Sequence, residues 1–195
     1  MGLILLTLVA AALVARLLGG RLSALEHLPL RGWPLLAGTL AALWLGTGAA
    51  LAGLPAAFHW LGLASAAACT LAYCASNRAV HGTGLVGAGL LLNALVVMLN
   101  GGMPVSAYAA ARAGVNYVEV VSDPRHVPAG DSTHLTPFAD VIPVPLPLRP
   151  EVSSAGDLLV AAGLAQLLAT AMLARYPAQE RPRPLHIRPR HARTG

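Results

Sequence analysis

Residues 83–104 read TGLVGAGLLLNALVVMLNGGMP, an apolar stretch that two asparagines interrupt. At a rise of about 1.5 Å per residue, a helix over its uncharged part nearly crosses a bilayer core of about 30 Å. An amide in lipid costs free energy unless it is hydrogen bonded, so Asn93 and Asn100 mark polar positions on this helix. Their spacing places both on one face. The stretch predicts a transmembrane helix with a polar side.

The composition of the whole chain agrees with a membrane location. The sequence has 195 residues, of which 56% are hydrophobic and 11% charged, and its mean hydropathy is +0.64. Soluble domains carry roughly 25% charged residues. The basic residues are all arginine and raise the pI to about 10.0. Because many of them lie in a C-terminal tail beside a hydrophobic body, they favour a membrane surface over nucleic acid as the partner.

Five segments are long and apolar enough to cross a bilayer. The predicted fold class is therefore an all-α membrane protein, a bundle of about five transmembrane helices within residues 1–176. The spans are placed near residues 2–18, 34–54, 56–75, 83–100 and 156–175. The first span lacks the positively charged start of a signal peptide, so we expect it to remain as an anchor.

The arginines predict how the bundle is oriented in the cell membrane. The first and third connections contain arginines, whereas the long loop 101–155 has an excess of acidic residues; the arginines are Arg16, Arg21, Arg31 and Arg78. Short basic loops stay in the cytoplasm. This pattern predicts a multi-pass protein with its N-terminus and the long loop outside and its C-terminus in the cytoplasm.

The tail, residues 177–195, is rich in arginine and proline and has no apolar pattern. Such a segment is predicted to be disordered until it meets a partner. Arginines beside a membrane attract anionic lipid, so the expected partners are the bilayer and its anionic headgroups. Nothing in the sequence identifies a protein partner.

The outer loop contains signals of local structure. Ser106 is placed to cap a short helix over 107–113, which Gly114 would close. Residues 115–121 are strand-like in composition. In the last span, Asp157 precedes small residues at a spacing of four and should face the bundle.

The candidate binding residues follow from the quoted stretch; they are Asn93, Asn100, Gly101, Gly102, Met103 and Pro104. The two amides could line a polar pocket near the outer surface. Alternatively, Asn93 holds two helices together and Asn100 ends its helix as a cap. The glycine pair follows a helix instead of opening one, so no phosphate loop is indicated.

Two acidic residues, Asp140 and Asp157, are the candidate catalytic residues. Asp157 begins the last helix, where an acid also interacts favourably with the helix dipole. Asp140 lies in an apolar part of the loop. If the two carboxylates converge, their pKa values would separate and they could act as acid and base. His126 and His134, with their neighbouring acids, match no metal-ligand motif, and no cofactor is indicated.

Several motifs together resemble a domain-of-unknown-function family of integral membrane proteins of actinobacteria and related Gram-positive bacteria. They are Asn93, Asn100-Gly-Gly-Met-Pro-Val105, Asp140-Val-Ile-Pro143 and Ser154-Ala-Gly-Asp157. The resemblance runs from the first helix to about residue 175. It implies a membrane location and no particular activity.

Asp157 also resembles the second catalytic Asp of lipoprotein signal peptidases, which begins a helix. Their first catalytic Asp corresponds to Val96 here, so that only Asp140 could replace it. The expected function is a non-enzymatic accessory, scaffold or small-ligand-binding membrane protein with an outward polar pocket. The alternative is an intramembrane aspartyl hydrolase that uses Asp140 and Asp157.

Overall fold

A computed structural model of the chain describes residues 2–147 and 149–174. The long helices are α1 (Gly2–Leu17), α2 (Trp33–Leu51), α3 (Ala56–Ser76) and α4 (Thr83–Asn100), with α7 (Ala155–Leu173) last. Between α4 and α7 lie the short helices α5 (Ala107–Ala113) and α6 (Tyr117–Ser122) and the strands β1 (Met103–Val105), β2 (His126–Pro128), β3 (Ile142–Val144) and β4 (Glu151–Ser153). Short 3-10 helices cover Leu22–His27 and Thr136–Phe138. The predicted tail and its lipid partner lie outside the described residues.

Three helical segments are long and apolar enough to cross a membrane: Ala57–Ser76, Thr83–Asn100 and Ala155–Leu173. The chain is thus a mostly helical protein with the character of a membrane protein. The predicted spans near 2–18 and 34–54 coincide with α1, which is apolar but shorter, and with α2.

The long helices pack as a row in which α2 contacts α3, α3 contacts α4, α4 contacts α7 and α7 contacts α1. Glycines allow the closest approaches. A Cβ added at Gly62 of α3 would lie 2.7 Å from the Cα of Gly46 in α2. Such small residues let helix backbones meet in lipid, where van der Waals contact drives association.

Large apolar side chains cover the outside of the row. On α2, Trp33 and Trp44 are 76% and 80% exposed, and α1 exposes leucines and valines along its length. A water-facing surface rarely carries so much contiguous apolar area, whereas a lipid-facing one requires it.

The segment 103–153, called the cap below, folds at one end of the row. β1 pairs in parallel with β2, and β3 pairs antiparallel with β4. Ser106 caps α5 through the amide of Ala109, and Gly114 follows in the left-handed conformation with φ 79°, so this prediction is confirmed.

The strand-like composition of residues 115–121 does not produce a strand, because α6 occupies most of that range. In α6 the amide of Val120 donates to the carbonyl of Asn116 at 3.2 Å. A strand needs a neighbour to satisfy its backbone groups, whereas a helical turn satisfies them locally. Local bonding therefore overrides the β-propensity of the valines.

Backbone contacts distinguish the two ends of the row. At the cap end, the amides of Gly2 and Leu3 donate to Glu151. At the opposite end, the amide of Arg21 donates to Met172 O at 2.9 Å, and Asn77 bonds the backbone of Arg31 in both directions. The arginines of the first and third connections therefore share the end away from the cap.

Candidate functional site

Asn93 joins α4 to the start of α7. Its Nδ2 donates to Asp157 Oδ1 at 2.8 Å, and its Oδ1 accepts from Ser154 Oγ at 2.8 Å. Both ends of the amide are thereby bonded to the neighbouring helix. Asp157 faces the bundle, as its position before the small residues predicts. We call Asn93, Ser154 and Asp157 the α4–α7 joint.

The same residues begin α7 by a reciprocal cap. Ser154 Oγ accepts from the amide of Asp157 at 3.0 Å, and the Asp157 carboxylate accepts from the amide of Ser154 at 3.3 Å. This capping box satisfies backbone donors that the first helical turn leaves unpaired. The acid also lies where the helix dipole favours negative charge.

Glycines make the α4–α7 joint possible. A Cβ added at Gly156 would collide with Asn93 Oδ1 and lie 2.7 Å from Gly89 O, and one at Gly89 would collide with Gly156 O. Without side chains at these positions the helices approach closely enough for a short amide to reach across.

Asn100 holds the cap to the end of α4. Its Nδ2 donates to Val96 O at 2.8 Å and to His134 O at 3.0 Å, and its Oδ1 accepts from the amide of His134 at 2.8 Å. Gly101 ends α4 in the left-handed conformation with φ 75°. The asparagine thus bridges the helix and a distant part of the cap.

The residues after Gly101 lead into the sheet. Gly102 lies against Arg125 and Val127, so that an added Cβ would be 2.9 Å from Val127 Cγ1. Met103 and Pro104 form β1 opposite His126 and Val127 of β2. This part of the motif therefore forms one strand of the two-stranded parallel sheet in the cap.

Asp140 lies on the other side of β1, where it forms an isolated bridge with Val105. Its amide donates to Pro104 O at 2.9 Å and its carbonyl accepts from the amide of Ser106 at 3.0 Å. Its side chain is only 10% exposed. Burial, followed by the negative charges of Asp157 and Glu151, raises the pKa of Asp140 to about 7.

A basic side chain lies close to this carboxyl: His126 Nε2 is 3.9 Å from Asp140 Oδ2. That separation is longer than a hydrogen bond. His126 Nδ1 is buried and has no hydrogen-bond partner among the described residues. Burial lowers the pKa of His126, which favours the neutral ring. We call His126 and Asp140 the cap pair.

His126 also lines an open cavity of about 430 Å³ in the cap. The other lining residues come from the end of α5, from α6 and from the approach to β4; they are Gly114, Val115, Asn116, Glu119, Val120, Asp123 and Pro150. Asp123 accepts from Arg125 Nε at 2.9 Å, and this contact lowers the pKa of Asp123 well below its usual range. The volume suits a small molecule.

Sequence reasoning missed two residues that organise this end. Glu151 Oε2 and Oε1 accept from the amides of Gly2 and Leu3 at 2.8 and 2.6 Å, which fixes the start of α1. No sequence pattern around residue 151 predicts this long-range contact. In the sequence, His126 is considered only as a candidate metal ligand. The described residues contain no cluster of three or more His, Cys, Asp or Glu side chains suited to a metal.

The structure brings the sequence-predicted residues to one end of the row but gives them different surroundings. Asn93 and Asp157 bond each other, Asn100 bonds the cap, and the negative charge of Asp157 contributes to the raised pKa of Asp140. The described cavity is lined by a different set of residues.

The sequence model of a family of unknown function, DUF5317, matches residues 28–169. That range includes α2 to α4, the cap and most of α7. No curated protein and no solved structure gives a match to the chain. Because the matched range covers well over half of the sequence, the chain belongs to the DUF5317 family.

Proposed function

We propose that the protein is a non-enzymatic accessory component of the cell membrane whose cap binds a small molecule outside the cell. In this proposal α1 and α2 complete a set of five spans, with the N-terminus outside and the C-terminus in the cytoplasm. The gathering of Arg16, Arg21, Arg31 and Arg78 at the end away from the cap supports this orientation.

The observation that carries the binding function is the cavity of about 430 Å³ between α6 and the start of β2. Glu119 lines it and, within residues 2–147 and 149–174, has no cationic partner. The second acid, Asp123, is already paired with Arg125. A carboxylate without a cationic partner on the wall of a cavity favours a ligand that carries an amine.

Titration of the purified full chain with ethanolamine tests this proposal. We expect slower amide exchange over residues 114–126 on addition of ethanolamine, and no change with acetate at the same ionic strength. Glu119→Gln should raise the ethanolamine concentration needed for half-maximal protection at least about tenfold, because it removes a charge-assisted hydrogen bond. Glu26→Gln, which removes an acid at the opposite end, is the matched control. Equal responses of the two variants, or no protection at all, would contradict the proposal.

The raised pKa of Asp140 favours a second candidate, an intramembrane aspartyl hydrolase. A carboxyl with a pKa of about 7 is poised to transfer protons at neutral pH, and Asp157 supplies a second carboxylate nearby. Against this role, the Asp157 carboxylate already accepts bonds from Asn93 and Ser154. The α4–α7 joint therefore favours the non-enzymatic function.

Hydrolysis of a fluorogenic lipid ester and of a membrane-embedded peptide separates these candidates. The hydrolase requires that Asp140→Asn and Asp157→Asn each abolish turnover while Asp131→Asn, on the exposed cap surface, leaves it unchanged. We expect no turnover by the wild-type chain. Turnover that depends on both acids would overturn the accessory function.

A further inference from the structure

The turn after α1 forms a basic cavity at the end away from the cap. An open cavity of about 340 Å³ is lined by Arg16, Arg21, Leu22 and Ser23. The side chains of two arginines and a serine therefore border one small concave surface, whose own lining is mostly apolar. Together these groups supply the donors that a phosphate monoanion or diester accepts.

Backbone contacts hold this turn in place. The amide of Gly20 donates to Ala15 O at 2.8 Å, and the amide of Arg21 donates to Met172 O at 2.9 Å. A Cβ at Gly20 would lie 2.7 Å from Ala15 O and 3.1 Å from Met172 O, so only glycine fits there. Arg21 is thus anchored between the ends of α1 and α7.

The guanidinium groups retain free donors. Arg16 Nη1 donates to Gly20 O at 3.3 Å, which uses one of its five N–H groups. Within the described part of the chain, neither Arg16 nor Arg21 has a carboxylate partner. Two arginines that border one cavity without a carboxylate partner favour an anionic ligand.

The surroundings of the cavity are apolar. Leu17, Leu18 and Leu22 are 86%, 68% and 61% exposed next to the arginines. The cavity also lies where the apolar helices α1 and α7 end, the level at which a bilayer places its headgroups. A soluble anion would contact the arginines but not the leucines, whereas a phospholipid contacts the arginines with its phosphate and the leucines with its acyl chains.

We propose that the cavity formed by Arg16, Arg21, Leu22 and Ser23 binds the phosphate of an anionic phospholipid, with the lipid's acyl chains against the exposed leucines. Basic pockets at the membrane surface bind such headgroups. The site is separate from the cap cavity and does not depend on what that cavity binds. It requires only that the helices lie in a bilayer.

Native mass spectrometry of the full chain in detergent, with added phosphatidylglycerol or phosphatidylcholine, tests the site. We expect one phosphatidylglycerol to be retained in preference to phosphatidylcholine. The variant Arg16→Gln/Arg21→Gln should lose about tenfold in affinity for phosphatidylglycerol, since each arginine near a membrane surface contributes to anionic lipid binding. The matched control, Arg31→Gln/Arg78→Gln, removes the same charge from the same end and should change affinity less than about twofold.

Equal losses in the two double variants would show that only the general charge of this end matters and would overturn the site. Displacement of the lipid by millimolar inorganic phosphate would assign the cavity to a free anion instead. If Arg16→Gln/Arg21→Gln fails to fold by circular dichroism, Ser23→Asp replaces it, because it places a negative charge in the cavity and keeps both arginines. Unchanged lipid retention by a folded Ser23→Asp variant would contradict the proposal.

Discussion

The α4–α7 joint and the cap pair lie at the same end of the molecule, but the polar groups are hydrogen bonded to one another in the first and not in the second. In the α4–α7 joint, Asn93, Ser154 and Asp157 satisfy one another at 2.8–3.3 Å. In the cap pair, the closest approach of His126 to Asp140 is 3.9 Å, and His126 Nδ1 has no partner in the described segments. A fully hydrogen-bonded network stabilises a fold. An unsatisfied buried pair costs stability, and its groups stay available for proton transfer or binding.

The largest loss of stability is expected for Gly89→Ala, which prevents the close helix approach that the α4–α7 joint needs. The new Cβ would collide with Gly156 O and lie 2.9 Å from Val160 N, both of them backbone atoms. We expect a cost above the usual 1–3 kcal/mol of overpacking, roughly enough to abolish the folded bundle. Thermal unfolding in detergent measures it.

Gly84→Ala is the matched control for Gly89→Ala. It makes the same change in the same helix, at a position where an added Cβ meets nothing within 4 Å. A gain in stability of less than about 1 kcal/mol is expected, since alanine favours a helix interior by that amount over glycine and Gly84 lies in the first turn of α4. Similar melting temperatures for the two variants would show that α4 and α7 do not meet as described.

Asp140→Asn tests the cap pair through its pH dependence. The pKa of Asp140 is about 7 in the folded chain, against 3.8 for an unperturbed carboxyl. The folded state therefore holds more protons than the unfolded state between these values. Stability contributed by this group is complete below pH 4 and is lost as pH rises to 7, a loss of roughly 4 kcal/mol.

The asparagine variant should remove that loss. We expect it to match the wild type near pH 4 and to be more stable at pH 8, as read by the exchange of the Asp140 and Ser106 amides. Asp131→Asn, at an exposed cap position, controls for the change of charge. A wild-type cap whose stability is the same at pH 5 and pH 8 would refute the buried carboxyl.

The smallest of the three effects belongs to Asn93→Ala, which leaves the Ser154 hydroxyl and the Asp157 carboxylate without their partner. We expect a cost of about 1–3 kcal/mol, the penalty for unpaired buried polar groups. A double-mutant cycle with Ser154→Ala isolates the bond between them. A coupling energy near zero would mean that the hydrogen bond between Ser154 and Asn93 contributes nothing to stability.

Local features of this fold were predictable from sequence, and long-range ones were not. The cap of α5 and the apolar helices from residue 56 onward follow from caps, glycines and hydropathy that act within a few residues. The cap pair depends on the parallel pairing of β1 with β2 and on the bridge from Val105 to Asp140. No periodic pattern in the sequence predicts which residues pair in either contact. The same holds for Glu151, whose partners Gly2 and Leu3 are 149 and 148 residues away in sequence.

The contact between Glu151 and the start of α1 has a consequence for biosynthesis. Its partners are separated by 149 and 148 residues, and α1 packs along α7. Helix α1 is therefore synthesised long before Glu151 and α7, and its packing against them cannot form until they have followed it. During that interval the apolar surface of α1 lacks its partner in the fold, and this end of the molecule is completed only when α1 and α7 meet.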